Sequence, residues 1–367
     1  WVTEEGESRK LVFSGDIGNG NRPLIKDPEY IHDADYVIME STYGNRNHDT
    51  PPDYAVELAK VINATFTKGG NLVIPAFSVG RTQEMLYYMR RIKTENLLPE
   101  YQNFEVYIDS PLAVEATNIF HKNVAECFDE DALALIESGV NPIQFDGLKV
   151  AITSDESKMI NVNAKSKVII SASGMCEAGR IRHHLKHNLW RPECTILFVG
   201  YQAVGTLGRT LIEGATTVKL FGEPIEVQAE ICQLTGMSGH ADRDGLLRWV
   251  NAFTEKPKRV FVMHGEDEVE NIFVDTLTGQ GFTACAPYNG AQWAIGAEGA
   301  VCLQEGTKVR IQHKVSEGQN RAATVFQRLV SAGKRLLRVI EHNEGGANKD
   351  LAKFADQINA LCDKWDH

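Results

Sequence analysis

Long apolar runs are missing from this 367-residue chain: its apolar stretches are strand-sized, as at Thr195 to Val199, far short of the roughly 18 residues a membrane-crossing helix needs. No membrane partner is expected. The opening Trp1-Val2-Thr3-Glu4 lacks the basic and apolar regions of a secretory leader, so the chain reads as cytoplasmic. Cysteine is scarce and scattered, seven in all with no C-x-x-C pair, which excludes a disulfide framework and a thiolate zinc cluster. Most of the thiols are expected to be buried in a reducing compartment. Cations are outnumbered, with 38 Lys and Arg against 49 Asp and Glu for a net charge of −11. That deficit argues against nucleic-acid binding through overall charge, so any polyanion must meet a local patch. No G-x-G-x-x-G follows a strand, which gives dinucleotide binding little weight. There is no internal repeat and no low-complexity segment.

What remains is ordinary globular sequence, 43% hydrophobic and 24% charged, with room for two domains. Leu11 to Ser14 and Tyr36 to Met39 read as short apolar strands. From about residue 53 to 215 helical and strand-like periodicities alternate, the signature of a parallel sheet with crossover helices. Helices are expected over Asp53 to Phe66, Arg81 to Ile92, Pro111 to Asn123, Glu177 to Asn188 and Gly205 to Glu213. Strands are expected over Asn71 to Pro75, Phe104 to Ile108, Val150 to Thr153, Lys167 to Ser171 and Cys194 to Val199. Then come β-rich sequence at Thr217 to Phe221 and Ile225 to Leu234, a helix at Arg243 to Phe253 and a strand at Arg259 to Met263. Two amphipathic tail helices carry Leu329, Leu336 and Ile340, then Leu351, Phe354, Ile358 and Leu361, at a spacing that suits core packing or a homodimer contact.

Asp16, Glu40, His240 and His264 each follow an apolar strand and precede small or turn-forming residues. Such strand ends are where open α/β sheets bind ligands, although each residue alone also fits a turn cap. Asp and His are donors that suit Zn²⁺ or Mn²⁺, and a carboxylate–histidine pair supports acid–base chemistry near neutral pH.

The segments Phe13-Ser14-Gly15-Asp16-Ile17-Gly18, Met39-Glu40-Ser41-Thr42-Tyr43-Gly44, Ser238-Gly239-His240-Ala241-Asp242 and Met263-His264-Gly265-Glu266, in this order, resemble successive motifs of the β-CASP branch of the metallo-β-lactamase superfamily. Between them, Ile74 to Glu84, Asp109 to Ala113, Ser171 to Arg180 and Gly200 to Arg209 are similar to that family's inserted domain. The resemblance implies an α/β fold: a partial αββα lactamase sandwich, an inserted Rossmann-like domain with a parallel sheet flanked by helices, and C-terminal helices. The implied divisions are 1–50 for the first lactamase part, 51–220 for the insert, 221–305 for the return and 306–367 for the tail. It further implies a zinc-dependent ribonuclease with a two-metal hydroxide mechanism. Asp16 would bridge two metal ions, His264 would bind one of them, His240 would protonate the leaving 3′ oxygen, and Glu40 would raise the pKa of His240.

One departure is large. The family's H-x-H-x-D-H zinc segment is absent from the eleven histidines. The expectation is therefore the C-terminal part of a longer polypeptide, completed by an upstream lactamase segment of the same protein or another chain. With Asp16 and His264 as its only ligands, the chain should bind a zinc pair poorly and hydrolyse little.

Two segments offer an anion site. Arg180, Arg182, His184, Lys186 and Arg191 concentrate basic charge after the small-residue loop at Ser173 and Gly174, which the resemblance places near the backbone of single-stranded RNA. The alternative is a solvated basic face. Arg81, in a first helical turn where a cation opposes the dipole, either serves an anion or pairs with Glu84 at i+3. Besides the RNA nuclease, two readings stay open: a DNA-directed nuclease of the same branch, and a catalytically silent RNA-binding scaffold subunit.

Overall fold

A computed structural model describes residues 1–4, 6–296, 298–308, 333, 336–337, 339–340 and 348–365. Residues 1–307 form one compact unit and 308–367 another. The first unit contains two parallel sheets. One has four strands in the order Ala284–Cys285, Arg259–Met263, Tyr36–Glu40, Leu11–Phe13, every pairing parallel. The other has six, in the order Glu230–Gln233, Thr195–Phe198, Leu72–Pro75, Lys167–Ser171, Glu105–Ile108, Leu148–Val150, again all parallel. The expected α/β fold, with a parallel sheet flanked by helices, is present.

Burial on both faces explains why the central strands carry unbroken apolar runs rather than alternation. Successive side chains point to opposite faces. Leu72, Ile74, Val168, Ile170 and Leu197 pack with the helices Tyr54–Thr67 and Arg81–Thr94. Their neighbours Val73, Ile169, Ile196 and Phe198 pack with Ile181, Leu185 and Leu189 around the helix Ile181–Asn188. The smaller sheet contributes Val12, Val37, Met39, Val260 and Val262 to a third core, with Trp249 and Phe273 of the helices Arg243–Val250 and Asp267–Gly279.

Several boundaries differ from expectation, each for a local reason. Strand Leu148–Val150 ends before Thr153, because Thr153 caps the helix Ser154–Val162 in a reciprocal box with Glu156. The basic helix starts at Ile181 rather than Glu177, since Gly179 adopts a left-handed φ of 82°. Ile225 to Leu234 holds two strands rather than one. Glu223–Glu226 closes a hairpin with Thr217–Leu220, and Glu230–Gln233 joins the six-stranded sheet beside Thr195–Phe198. The six-stranded sheet therefore takes its edge strand from beyond residue 220. The helices Glu130–Glu137, Ser154–Val162 and Asp267–Gly279 were not expected. Of the seven cysteines only Cys176 and Cys194 are buried, contrary to the expectation of mostly buried thiols. Lys167, by contrast, is fully buried at the start of a central strand. Its ammonium donates to the Asn163 carbonyl at 2.6 Å, and burial pushes its pKa down to about 8.

In the second unit the helix Asn348–Trp365 half-buries Leu351, Phe354 and Ile358 on one stripe. Leu329 lies outside the described residues. No described helix is long and apolar enough to cross a membrane.

The approach of the loop before strand Leu72–Pro75 to the chain before Thr195 depends on Gly70, where an added Cβ would overlap the Glu193 carbonyl. Gly70→Ala should destabilise the chain by about 1–3 kcal/mol, read from the urea midpoint. An unchanged midpoint would show that the two segments can part freely.

Candidate active site at the strand ends

Because Leu11–Phe13, Tyr36–Glu40 and Arg259–Met263 are parallel neighbours, their C-terminal ends lie along one edge of the sheet. The pairing Met263↔Glu40 puts His264 beside the turn after Glu40. Asp16 follows two residues after Ser14, whose amide donates to the Ile38 carbonyl at 2.9 Å. His240 arrives on a loop that pairs with the Asp16 turn: Asn19 donates to the Gly239 carbonyl at 3.0 Å, and Ala241 to the Ile17 carbonyl at 2.8 Å. All four expected strand-end residues thus meet. The ligand atoms of Asp16, His240 and His264 lie within 4.8 Å of one another.

Glu40 is the buried member, its side chain 1% exposed against 26% for His240. Its carboxylate accepts from His240 Nδ1 at 2.9 Å, from the Ile17 amide at 2.6 Å and from the Thr42 hydroxyl at 2.6 Å. Burial pushes the carboxyl pKa up, but these bonds and the imidazolium charge more than offset it, and the pKa lies below its ordinary value. The same bond holds His240 above its ordinary value, against the opposing effect of burial. With Nδ1–H committed to Glu40, the Nε2 of His240 is the atom left for chemistry. With its hydroxyl hydrogen on Glu40, Thr42 can accept from His264 Nδ1 at 3.2 Å, which leaves His264 Nε2 as a lone-pair donor. His264 itself has a left-handed φ of 55°, uncommon outside glycine, and its ring lies 5.6 Å from that of His240.

Thr42 and His48, whose Nε2 lies 3.0 Å from the His240 carbonyl, went unrecognised as site residues in the sequence. Thr42 had a signal in its spacing two residues after Glu40; His48 had none. The site opens into a cavity of about 1070 Å³, lined among others by Asp16, His240, His264, Phe77, Arg81 and Tyr201.

The expected anion-binding residues fare differently. Arg81 lines the cavity, but its guanidinium is buried in an ion pair with Glu84; the anion it serves is the protein's own. Arg180 donates to Asp109 at 2.7 Å and to the carbonyls of Ala151 and Ile152. His184 is fully buried, with Nε2 2.6 Å from Asp109 and Nδ1 2.9 Å from Asn161. Neither is free to meet RNA, and their assignment as RNA contacts is corrected: a buried carboxylate needs its partners more than a surface needs its charge. Arg182 donates to the Glu177 carbonyl at 2.9 Å and lies over the Phe221 ring. Ser173 bonds within its own loop, to the Ala178 carbonyl, and Gly174 is buried beneath Phe77.

Against this geometry stand the comparisons with known proteins. Residues 82–211 match the Beta-Casp domain, and 224–287 match the Zn-dependent metallo-hydrolase RNA specificity domain. The chain belongs to the β-CASP family of the metallo-β-lactamase superfamily. It is 37% identical over 268 residues to a ribonuclease of Thermus thermophilus, covering 73% of this chain and 60% of that protein. A transcription termination factor of Methanosarcina mazei is 35% identical over 268 residues, covering 70% of this chain and 41% of its own length. An RNase J-like protein of Methanocaldococcus jannaschii is 32% identical over 265 residues, 71% of this chain and 59% of that protein. The chain thus spans about half the length of the curated relatives it matches.

Two predictions follow from the two carboxylate–histidine pairs. His240 is raised, so its share of stability is present below its unfolded value of about 6.5 and is lost as pH rises through the folded one. Glu40 is lowered, so its share is present above the unfolded carboxylate value and is lost as pH falls through the folded one. Glu40→Gln should therefore cost more stability at about pH 6 than at about pH 9 in urea denaturation; equal costs would contradict the pairing. Asp109→Asn should cost about 3–5 kcal/mol, because it removes the buried charge that Arg180, Ser157 and the fully buried His184 are arranged around. Urea denaturation of that variant measures it, and a cost below about 1 kcal/mol would mean the network is dispensable.

Proposed function

We propose that this chain forms part of the active site of a zinc-dependent ribonuclease that hydrolyses phosphodiester bonds in single-stranded RNA. The observation that carries the reading is the buried Glu40 bonded to His240 beside Asp16 and His264, at the mouth of a large cleft. The relatives' names, ribonuclease and transcription termination factor, support RNA as substrate, and the domain description supports zinc. We place the activity in the cytoplasm.

The donor types fit a divalent ion. An exposed carboxylate and an imidazole with Nε2 free are ligands that zinc accepts, and manganese would accept the same pair. Asp16 and His264 would hold it, with Asp16 able to offer an oxygen to each of two ions. Two residues supply fewer donors than the three a catalytic zinc takes from protein, so we assign the others to residues outside this chain. When bound, such an ion supplies Lewis acidity at a phosphoryl group and a lowered pKa of water.

The rest of the reaction falls to the chain's own side chains. His240 presents Nε2 to the cleft and delivers a proton to the departing 3′ oxygen. Glu40 stabilises the imidazolium before that transfer, and Thr42 and the Ile17 amide hold Glu40 in place. Exposed Phe77 and Tyr201 give the cleft wall an apolar surface that tolerates unstacked bases.

In the complete enzyme, His240→Ala should leave metal content unchanged and lower RNA turnover by about 10²–10⁴-fold. Metal analysis and single-turnover cleavage read the two quantities. Loss of metal in that variant would make His240 a ligand, and full turnover would remove it from the reaction.

A further inference from the structure

We propose that Arg22 is a positioning residue that fixes the His240 loop to the insert, so that the placement of the acid is set by the docking of the inserted domain. The inference deepens the ribonuclease reading and rests on it for the role of His240.

Arg22 has two ends to its contact. Nη1 donates to the Ser238 carbonyl, two residues before His240. Nη2 pairs with Glu84, on the insert's helix Arg81–Thr94. Both side chains are largely buried, 15% and 7% exposed. Glu84 also pairs with Arg81, so two guanidinium groups share one carboxylate and Glu84 is held from both sides.

The segment that carries Arg22 is itself fastened to the insert. Leu24 is buried in the insert's core with the helices Tyr54–Thr67 and Arg81–Thr94. It does so at a φ of 84°, and Asn21 has a φ of 55°. A leucine held in the left-handed region persists only where its surroundings over-determine it. Here they do: Lys26 donates to the Cys127 carbonyl at 2.9 Å, Asp129 to the Leu24 carbonyl at 3.3 Å, and Ile25 bridges Phe128. A short stretch from the turn after Asp16 thus crosses to the insert, is locked there, and returns a guanidinium to the acid loop.

The other end of that loop is braced in the same way. Tyr54 donates to the Thr235 carbonyl at 3.2 Å, and Gly236 (φ 80°) leaves no space for a Cβ above the Tyr54 hydroxyl. The insert therefore grips residues 235–238 through Tyr54 directly and through Glu84 by way of Arg22. The second route is the one that uses a charge, and a planar fork serves it because one group must satisfy a carboxylate and a carbonyl in different directions.

Hydrogen–deuterium exchange of residues 235–241 in the 367-residue chain, read alongside the melting temperature, tests the assignment. Arg22→Ala should speed exchange in that loop by about tenfold. Arg22→Lys keeps the charge beside Glu84, so the melting temperature should stay near native while loop exchange remains fast, because an ammonium does not reproduce the fork. A purely structural ion pair would instead let lysine restore both. In the complete enzyme the same lysine variant should lower kcat by about 10²-fold with KM little changed. If Arg22→Ala fails to fold, Arg22→Lys and Glu84→Gln carry the exchange test. Native exchange in all folded variants overturns the proposal even in an enzyme that cuts RNA. Native enzyme without RNA cleavage overturns the ribonuclease reading and leaves the exchange result standing.

Discussion

A carboxylate taken almost wholly out of water is the constraint on which the rest of this site depends. Burying Glu40 is costly unless donors replace the solvent it loses, and three groups do so from different parts of the chain: the Ile17 amide, the Thr42 hydroxyl and the His240 ring. Each donor is fixed by its role. The Asp16 turn must run past Glu40 to bring the Ile17 amide, which also sets Asp16 at the sheet edge. The loop before His240 must pair with that same turn to bring the imidazole to Glu40. Satisfying one buried oxygen pair therefore arranges the candidate ligands as a by-product.

The chain contains the same chemistry twice, with different outcomes. Asp109 and His184 are closer together than Glu40 and His240, at 2.6 Å, yet both are fully buried and tied to Ser157, Arg180 and Asn161. Such a pair lies in the polar core, out of contact with solvent. The Glu40 pair differs in one respect, since its histidine keeps one nitrogen at an open cleft. Access, rather than the carboxylate–histidine contact, separates the candidate site from the polar core.

That difference marks the limit of what the sequence disclosed. Asp16, Glu40 and His264 were legible because each stands at or just past the end of an apolar strand of one sheet, and parallel strands bring such ends together; His240 joins them on a loop that follows Glu230–Gln233 of the other sheet. The central strands of the insert were legible for the related reason that burial on both faces leaves continuous apolar runs; Lys167–Ser171 was placed to the residue. Arg180 and His184 were misread because a basic helix looks the same from sequence whether its cations face water or an internal aspartate. The pairing of Glu230–Gln233 with Thr195–Phe198 was not legible, because a strand's partner is not written in its own residues. Arg22 and Leu24 carried no signal at all, since their roles arise from contacts with residues far along the chain.

Distance along the chain has a kinetic meaning for the Glu40–His240 bond, which joins residues 200 positions apart. A ribosome adding about 5–20 residues each second exposes the carboxylate roughly 10–40 s before the imidazole that will cover it. During that interval Tyr36–Glu40 has an open flank where Arg259–Met263 will later lie. The intervening domain, if it folds as it emerges, draws the two ends of this long loop together and reduces the entropy that closing it would otherwise cost. The Glu40–His240 pair can therefore close only after the whole intervening domain has been made, so the geometry of this site depends on the order of synthesis as well as on the final contacts.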